Sequence, residues 1–244
     1  MSESRRASQR VEQSVGLLEG LATTRAIRRF TTEPVSDEDL ATIMFAATRA
    51  PSGSNRQPFR FLVLRDGPRA REAKALLGHS FREGWARKQA EDGYTGAAGP
   101  DAAATVDTPK ARMARALQQF VDRFEEIPVV VLGTYRRYRD PNPTEGASIS
   151  PACQNLLLAA RAVGLGGVLT MWHDSVEPEL RRILAIPEGV EIMATIPIGH
   201  PEGGHGPVRR RPLAELVYDD GWGEAAPWAV DPPGTRFAAA GPPP

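Results

Sequence analysis

The chain has 244 residues, 41% of them hydrophobic, enough to bury one substantial core, and its length suits one domain better than two. Thirty basic residues balance thirty acidic ones, so no overall field draws the protein to nucleic acid or an anionic membrane, and any anion-binding role must come from placed arginines. The single cysteine, Cys153, excludes an internal disulfide framework and a cysteine-based metal cage. It favours a reducing compartment. The first ten residues are polar and no apolar stretch of the roughly 20 residues needed for a membrane span follows them, so a cytoplasmic protein without a membrane partner is expected.

In chain order, Val11, Val15, Leu18 and Ala22 stand at helical spacing and predict an amphipathic helix leading into the basic stretch Arg25 to Phe30. Ser36-Asp37-Glu38-Asp39 resembles a capping box with Asp in the usual Glu place, and opens a second helix running to about Arg49. A polar loop from Pro51 to Pro58 precedes a strand at Phe59 to Leu64, a good position for ligand contacts. Residues Arg69 to Lys88 read as helix, and Asp92 to Pro109, rich in Gly, Ala and Asp, as a mobile insertion. Met113, Leu117, Phe120 and Phe124 mark another helix, and Pro128 to Gly133 a central strand. Ser150-Pro151 reads as cap and first turn of a core helix that Gly164 closes. Strands are expected at Val168 to Trp172 and Val190 to Ile198, with a short helix at Glu177 to Leu184 between them. Residues 1–224 form a single domain in this reading. Residues 225–244, rich in Pro, Gly and Ala, read as an extended or disordered tail in which Trp228 and Phe237 either pack on a partner subunit or are incidental.

Arg25 and Arg28 are three apart, and Arg209, Arg210 and Arg211 supply a second cluster; together they could clamp a phosphate through bidentate, permanently charged donors, and either alone is an ordinary solvated basic face. The loop Ser52-Gly53-Ser54-Asn55-Arg56-Gln57 offers hydroxyl, amide and backbone groups without a titrating acid or base, which suits recognition of a polar planar ring, or a plain connecting turn. Gly164-Leu165-Gly166-Gly167 lacks the spacing and context of a dinucleotide-binding fingerprint. His79, His173, His200 and His205 show no metal-ligand spacing, so no metal is expected, and Cys153 reads as a small buried hydrophobe. No Gly-x-Ser-x-Gly elbow occurs. Binding loops without an evident acid, base or nucleophile point to an organic cofactor that carries the reaction.

At this point the segments Arg25-Ala26-Ile27-Arg28-Arg29-Phe30, Pro34-Val35 and Ala50-Pro51-Ser52-Gly53-Ser54-Asn55-Arg56-Gln57-Pro58-Phe59 resemble the opening of a nitroreductase. Gly164 to Gly167, Ile186-Pro187-Glu188-Gly189, Ile198-Gly199-His200-Pro201 and Arg209-Arg210-Arg211-Pro212-Leu213 follow in that family's order, and the resemblance spans about Leu17 to Trp222. It implies an α+β, three-layer fold, with a central mixed or mainly antiparallel sheet flanked by helices, in an intertwined homodimer with FMN at the subunit interface. By resemblance Arg25, Ala26, Arg28 and Arg210, with Arg209, surround the phosphate and ribityl chain. Ser52, Gly53, Asn55 and Gln57 reach the cofactor from the other subunit, and Leu169, Thr170 and Met171 run beside the ring. Two departures stand out. Ala26 replaces a frequent serine, which removes one side-chain hydrogen bond, and Phe59 replaces a frequent tryptophan, which keeps packing but loses an indole donor.

The implied activity is that of an FMN-dependent oxidoreductase with two half-reactions at one site. NADH or NADPH reduces the flavin, and a small acceptor such as a nitroaromatic or quinone takes the electrons, with no protein nucleophile. The same family includes reductive dehalogenases, flavin-cleaving enzymes and heterocycle dehydrogenases, so a specialised reaction is the enzymatic alternative. A non-catalytic flavin-binding protein and a flavin-free structural dimer are the others. Nicotinamide oxidation separates the first of these from an enzyme, and co-purifying FMN excludes the second.

Overall fold

The protein is described by a computed structural model covering residues 15–92 and 109–238. Val11 of the expected first helix, residues 93–108 of the expected insertion and residues 239–244 of the tail lie outside the described residues. In helix α1 (Leu17–Thr23) Leu18 and Ala22 of the expected apolar face are exposed, as are Leu17 and Leu21, so none of the described residues covers that face. The capping box is present at α2 (Asp37–Ala47): Ser36 Oγ accepts from Asp39 N at 3.0 Å and donates to Asp39 Oδ2 at 2.6 Å. Strand β1 (Phe59–Leu64), helices α3 (Pro68–Glu91) and α4 (Pro109–Asp122), and strand β2 (Val129–Arg136) follow where the periodicity places them. Helix α5 (Gly146–Ala162), the short β3 (Gly166–Gly167), α6 (Glu177–Leu184) and β4 (Val190–Gly199) complete the named elements.

The strands form one sheet in the order β1-β2-β4-β3, and every neighbouring pair is antiparallel. Helices α3, α4 and α6 cover one face, where Leu77, Phe81, Phe120 and Leu180 meet Val130 and Leu132 of β2. Helices α2 and α5 cover the other, where Ile43, Cys153 and Leu156 meet Val129 and Val131. The result is an α+β fold in three layers. A register shift between Gly133 and Thr134 changes which face β4 presents: Ala194, Ile196 and Ile198 pack with α2 and α5, whereas Ile192 and Val190, of the same parity, pack on the opposite side. One extra residue in a strand of period two reverses every side chain beyond it.

Two expectations are corrected. Helix α5 starts at Gly146, so Ser150 is not its cap and Pro151 lies in its interior. The donor that Pro151 lacks would serve the carbonyl of Ala147, an exposed residue whose carbonyl water can satisfy. The strand expected at Val168 to Trp172 is broken: beyond Gly166–Gly167 only a Thr170–Thr195 bridge remains. Proline explains the gap, because Val168 N donates to Pro197 O at 3.4 Å and Pro197 has no N–H to return.

Beyond β3 the edge of the sheet is extended by the basic segment. Ile27 N donates to Gly167 O at 3.0 Å and Phe30 bridges Pro201. The chain past residue 224 is tied down as far as residue 238: Ala226 and Ala229 are buried, Trp228 Nε1 donates to Asp219 Oδ2, and Phe237 bridges Arg210 in parallel.

Candidate active site

The two arginine clusters, far apart in sequence, lie on adjoining backbone. Gly206 N donates to Thr23 O at 3.1 Å and Val208 N to Ala22 O at 3.0 Å, so the segment entering Arg209 and Arg210 runs beside the segment entering Arg25 and Arg28. Arg25 and Ala26 are exposed, and the Arg25 guanidinium lies by Gly206. Arg28 is half-buried, and burial pulls its pKa down. Among the described residues no carboxylate pairs with Arg25, Arg28, Arg209 or Arg210; the only side-chain bond in the group is Arg210 Nη1 to the Arg209 carbonyl at 2.8 Å. A guanidinium withdrawn from water without a counter-ion is poised for an anion.

Leu169, Thr170 and Met171 follow β3 at the same edge of the sheet that the basic segment extends. Thr170 turns inward, its backbone exchanging hydrogen bonds with Thr195 at 3.0 and 2.8 Å, and this leaves Leu169 and Met171, 41% and 55% exposed, as an apolar strip facing out. Such a strip suits a flat ring, and none of its side chains titrates.

The loop of Ser52, Gly53, Asn55 and Gln57 is elsewhere. It is strained, with Ser54, Asn55 and Gln57 all near φ 50°, a region asparagine tolerates better than serine or glutamine. The conformation is held from within: Gln57 N donates to Ser52 Oγ at 2.9 Å and Gln57 Nε2 to Asn55 Oδ1 at 3.1 Å. It is anchored outside by Gly53 N donating to Ser148 Oγ at 3.3 Å. A side chain at Gly53 would meet only open space, which leaves its backbone accessible. Beside the loop is a cavity of about 310 Å³ bordered by Tyr135, Tyr138 and Ser148. Ser148 is in the first turn of α5 and the arginines gather near its last turn; the 13 residues from Ser148 to Arg161 span about 20 Å at 1.5 Å per residue. One chain therefore holds the loop and the arginines at opposite ends of one helix.

A family model described as the nitroreductase family matches residues 21–200, which includes the first basic segment, the loop and all four strands. The chain belongs to the nitroreductase family. Its enzymatic class follows, and it is an oxidoreductase. An NADH dehydrogenase of Thermus thermophilus is 30% identical over 79% of this chain and 90% of its own length. A 5,6-dimethylbenzimidazole synthase of Rhodospirillum rubrum is 26% identical over 84% and 88%. Among solved structures, a Desulfovibrio desulfuricans protein in complex with FMN is 29% identical, covers 88% of this chain and 96% of that one, and superposes with a TM-score of 0.56.

Two further titratable residues, Cys153 and His173, are occupied by the fold. Cys153 is buried and its thiol is pushed up to about 11 by loss of water, which keeps it protonated and inert. His173 stands near Asp174 and Glu177, yet both ring nitrogens are engaged: Nε2 donates to Ile192 O at 3.1 Å and Nδ1 accepts from Thr195 Oγ1 at 3.1 Å. The carbonyl can only accept, which fixes a proton on Nε2, and the roles given are those of the neutral ring. No described helix is long and apolar enough to cross a membrane. Two residues of the arginine end escape sequence reasoning. His205 bridges the Arg25 N–H and the Leu165 carbonyl, and Arg161 buries an unpartnered Nε. The signal for Arg161 was its place in the apolar run Leu156 to Val163, which also fits a cation at a helix end.

Proposed function

We propose that the chain is an FMN-dependent oxidoreductase that works in the cytoplasm as a homodimer, taking a hydride from NADH or NADPH and delivering electrons to a small planar acceptor such as a nitroaromatic or a quinone. The observation that carries this reading is Arg28. A half-buried guanidinium, with no carboxylate partner among the described residues, stands near Arg209 and Arg210, which also have none, and near an apolar strip, and the phosphate and ring of a flavin nucleotide fit that pairing of charge and flat surface.

In this reading FMN supplies the hydride and electron transfer when bound, and the protein supplies position and electrostatics. Arg25, Arg28, Arg209 and Arg210 neutralise the phosphate, and the backbone at Ala26 follows the ribityl chain. Leu169 and Met171 back the ring, and the Thr170–Thr195 pair fixes their direction. Ser52, Gly53, Asn55 and Gln57 come from the second subunit, because α5 keeps them at the far end of the helix from their own chain's arginines. The exposed Leu17, Leu18 and Leu21 of α1 and Trp228 support burial against a second copy. Residues 1–224 are then one cofactor-binding domain and the tail beyond them reinforces the dimer.

The test is a visible absorption spectrum of the purified protein, followed by anaerobic addition of NADH and then NADPH. Flavin bands that bleach with either nucleotide are expected. Absence of bands after reconstitution with FMN overturns the reading, and bands that persist with both nucleotides remove the nicotinamide step from it.

A further inference from the structure

The chain turns back after α5 at Gly164, whose φ is +83°, and Leu165 N returns to Ala160 O at 2.8 Å. This places the Leu165 carbonyl where His205 Nε2 donates to it at 3.1 Å, while His205 Nδ1 accepts the Arg25 N–H at 3.3 Å. Both ring nitrogens are satisfied only when the imidazole is neutral. His205 is thus a strut between the end of α5 and the first basic segment. Two cations lie near it: Arg25 on the first basic segment and Arg161 in the last turn of α5. With burial, their charges pull the His205 pKa below its ordinary value against the opposing pull of the Leu165 carbonyl.

Arg161 is the unexplained member. Its Nε is buried with no hydrogen-bond partner, the one buried side-chain nitrogen or oxygen so placed among the described residues, and no described carboxylate pairs with it. A helix C-terminus favours a cation, which accounts for a positive charge in the last turn. It does not account for burying a donor beside a second unpaired guanidinium, an arrangement that costs free energy until an acceptor arrives.

We propose that Arg161, held beside Arg25 by the His205 strut, is a phosphate-binding residue that takes the phosphate monoester of the flavin nucleotide. The proposal rests on the FMN reading and adds to it a residue outside the two arginine motifs.

The experiment compares FMN with riboflavin, which differ by that phosphate, in titrations of the apoprotein monitored by quenching of flavin fluorescence. Wild-type apoprotein is expected to prefer FMN strongly. Arg161→Ala and Arg161→Gln should weaken FMN binding by about tenfold or more and leave riboflavin affinity unchanged, the signature of a lost charge-assisted contact. Arg161→Lys keeps the charge at the helix end and with it the fold, and should still weaken FMN several-fold because one ammonium does not reproduce the guanidinium fork. Arg182→Ala, on an exposed residue paired with Glu179, controls for loss of one charge. A wild-type FMN-to-riboflavin ratio in all three Arg161 variants makes Arg161 a helix-end residue and overturns the proposal while the FMN reading stands. A wild-type protein that binds neither flavin, or both equally, removes the two together. A rise confined to the KM for NADPH, with FMN affinity intact, assigns the cluster to the coenzyme and also overturns the proposal.

Discussion

Ile27 lies so close over Gly166 that a Cβ at position 166 would sit 2.5 Å from Ile27 Cγ1. The two segments are also joined by Ile27 N to Gly167 O, so the basic segment has no room to retreat without giving up a sheet hydrogen bond. Glycine at 166 is what allows Arg25 and Arg28 to flank the sheet edge. Gly166→Ala should cost about 1–3 kcal/mol of stability through overpacking. It should weaken FMN binding as well, because both arginines move with Ile27. A thermal melt and an FMN titration of the variant check this, and wild-type values in both would contradict the packing.

Arg28→Ala and Arg210→Ala should each lower FMN affinity by about 1.5–3 kcal/mol, roughly ten- to a hundredfold, the range for a hydrogen bond to a charged group. Arg28→Ala carries a second expectation. Its guanidinium is partly desolvated and has no described carboxylate partner, so the apoprotein should not lose stability on its removal. Lowered affinity with an unchanged or raised apoprotein Tm distinguishes a ligand-directed arginine from a structural one.

How much of this was legible in the sequence depends on which interactions set each feature. Helix α2 was, because Ser36 and Asp39 cap it locally and Leu40, Ile43 and Ala47 repeat at helical spacing. The opposite end of the chain's logic was not. Pro151 reads as a first-turn proline, yet α5 runs through it from Gly146, since packing of Ile149 and Ala152 in the core outweighs one missing hydrogen bond. The loss of pairing after Gly167 depends on Pro197, thirty residues away in sequence, and no local pattern at Val168 reports it. At the site, the arginine motifs and the Ser52 loop were visible as types of residue. Arg161 and His205 were not, because their significance lies in meeting Arg25 through a turn and a strand edge that only the folded chain brings together.

His205 makes a prediction about pH. Burial, with the charges of Arg161 and Arg25, lowers its pKa in the folded protein, whereas the unfolded chain protonates it near the ordinary value of about 6.5. Below that value the unfolded state binds more protons, so this residue's contribution, fully present at higher pH, is lost as pH falls through the folded pKa. Protonation also turns Nδ1 into a donor facing the Arg25 N–H. Apoprotein Tm measured from pH 8 to pH 5 should therefore fall more steeply for the wild type than for His205→Gln. Parallel curves would mean that the imidazole is not held neutral by its surroundings.

The separation of the Ser52 loop from the arginines along α5 makes subunit sharing testable without a structure of the dimer. Asn55→Ala should damage the loop side of a site and Arg28→Ala the phosphate side, each leaving its homodimer poor in FMN. When the two variants are co-expressed with different tags and the mixed dimer is isolated, a shared site has a definite arithmetic. One site collects both substitutions, and the other collects the intact Arg28 of one chain and the intact Asn55 of its partner. About one flavin per mixed dimer is then retained, with wild-type affinity at that site. A site built within one chain gives a different result, since every site would carry one defect and none would recover. The distance that α5 imposes, about 20 Å between Ser148 and Arg161, favours the first outcome, because no bend within the described helix brings Asn55 back to its own Arg28.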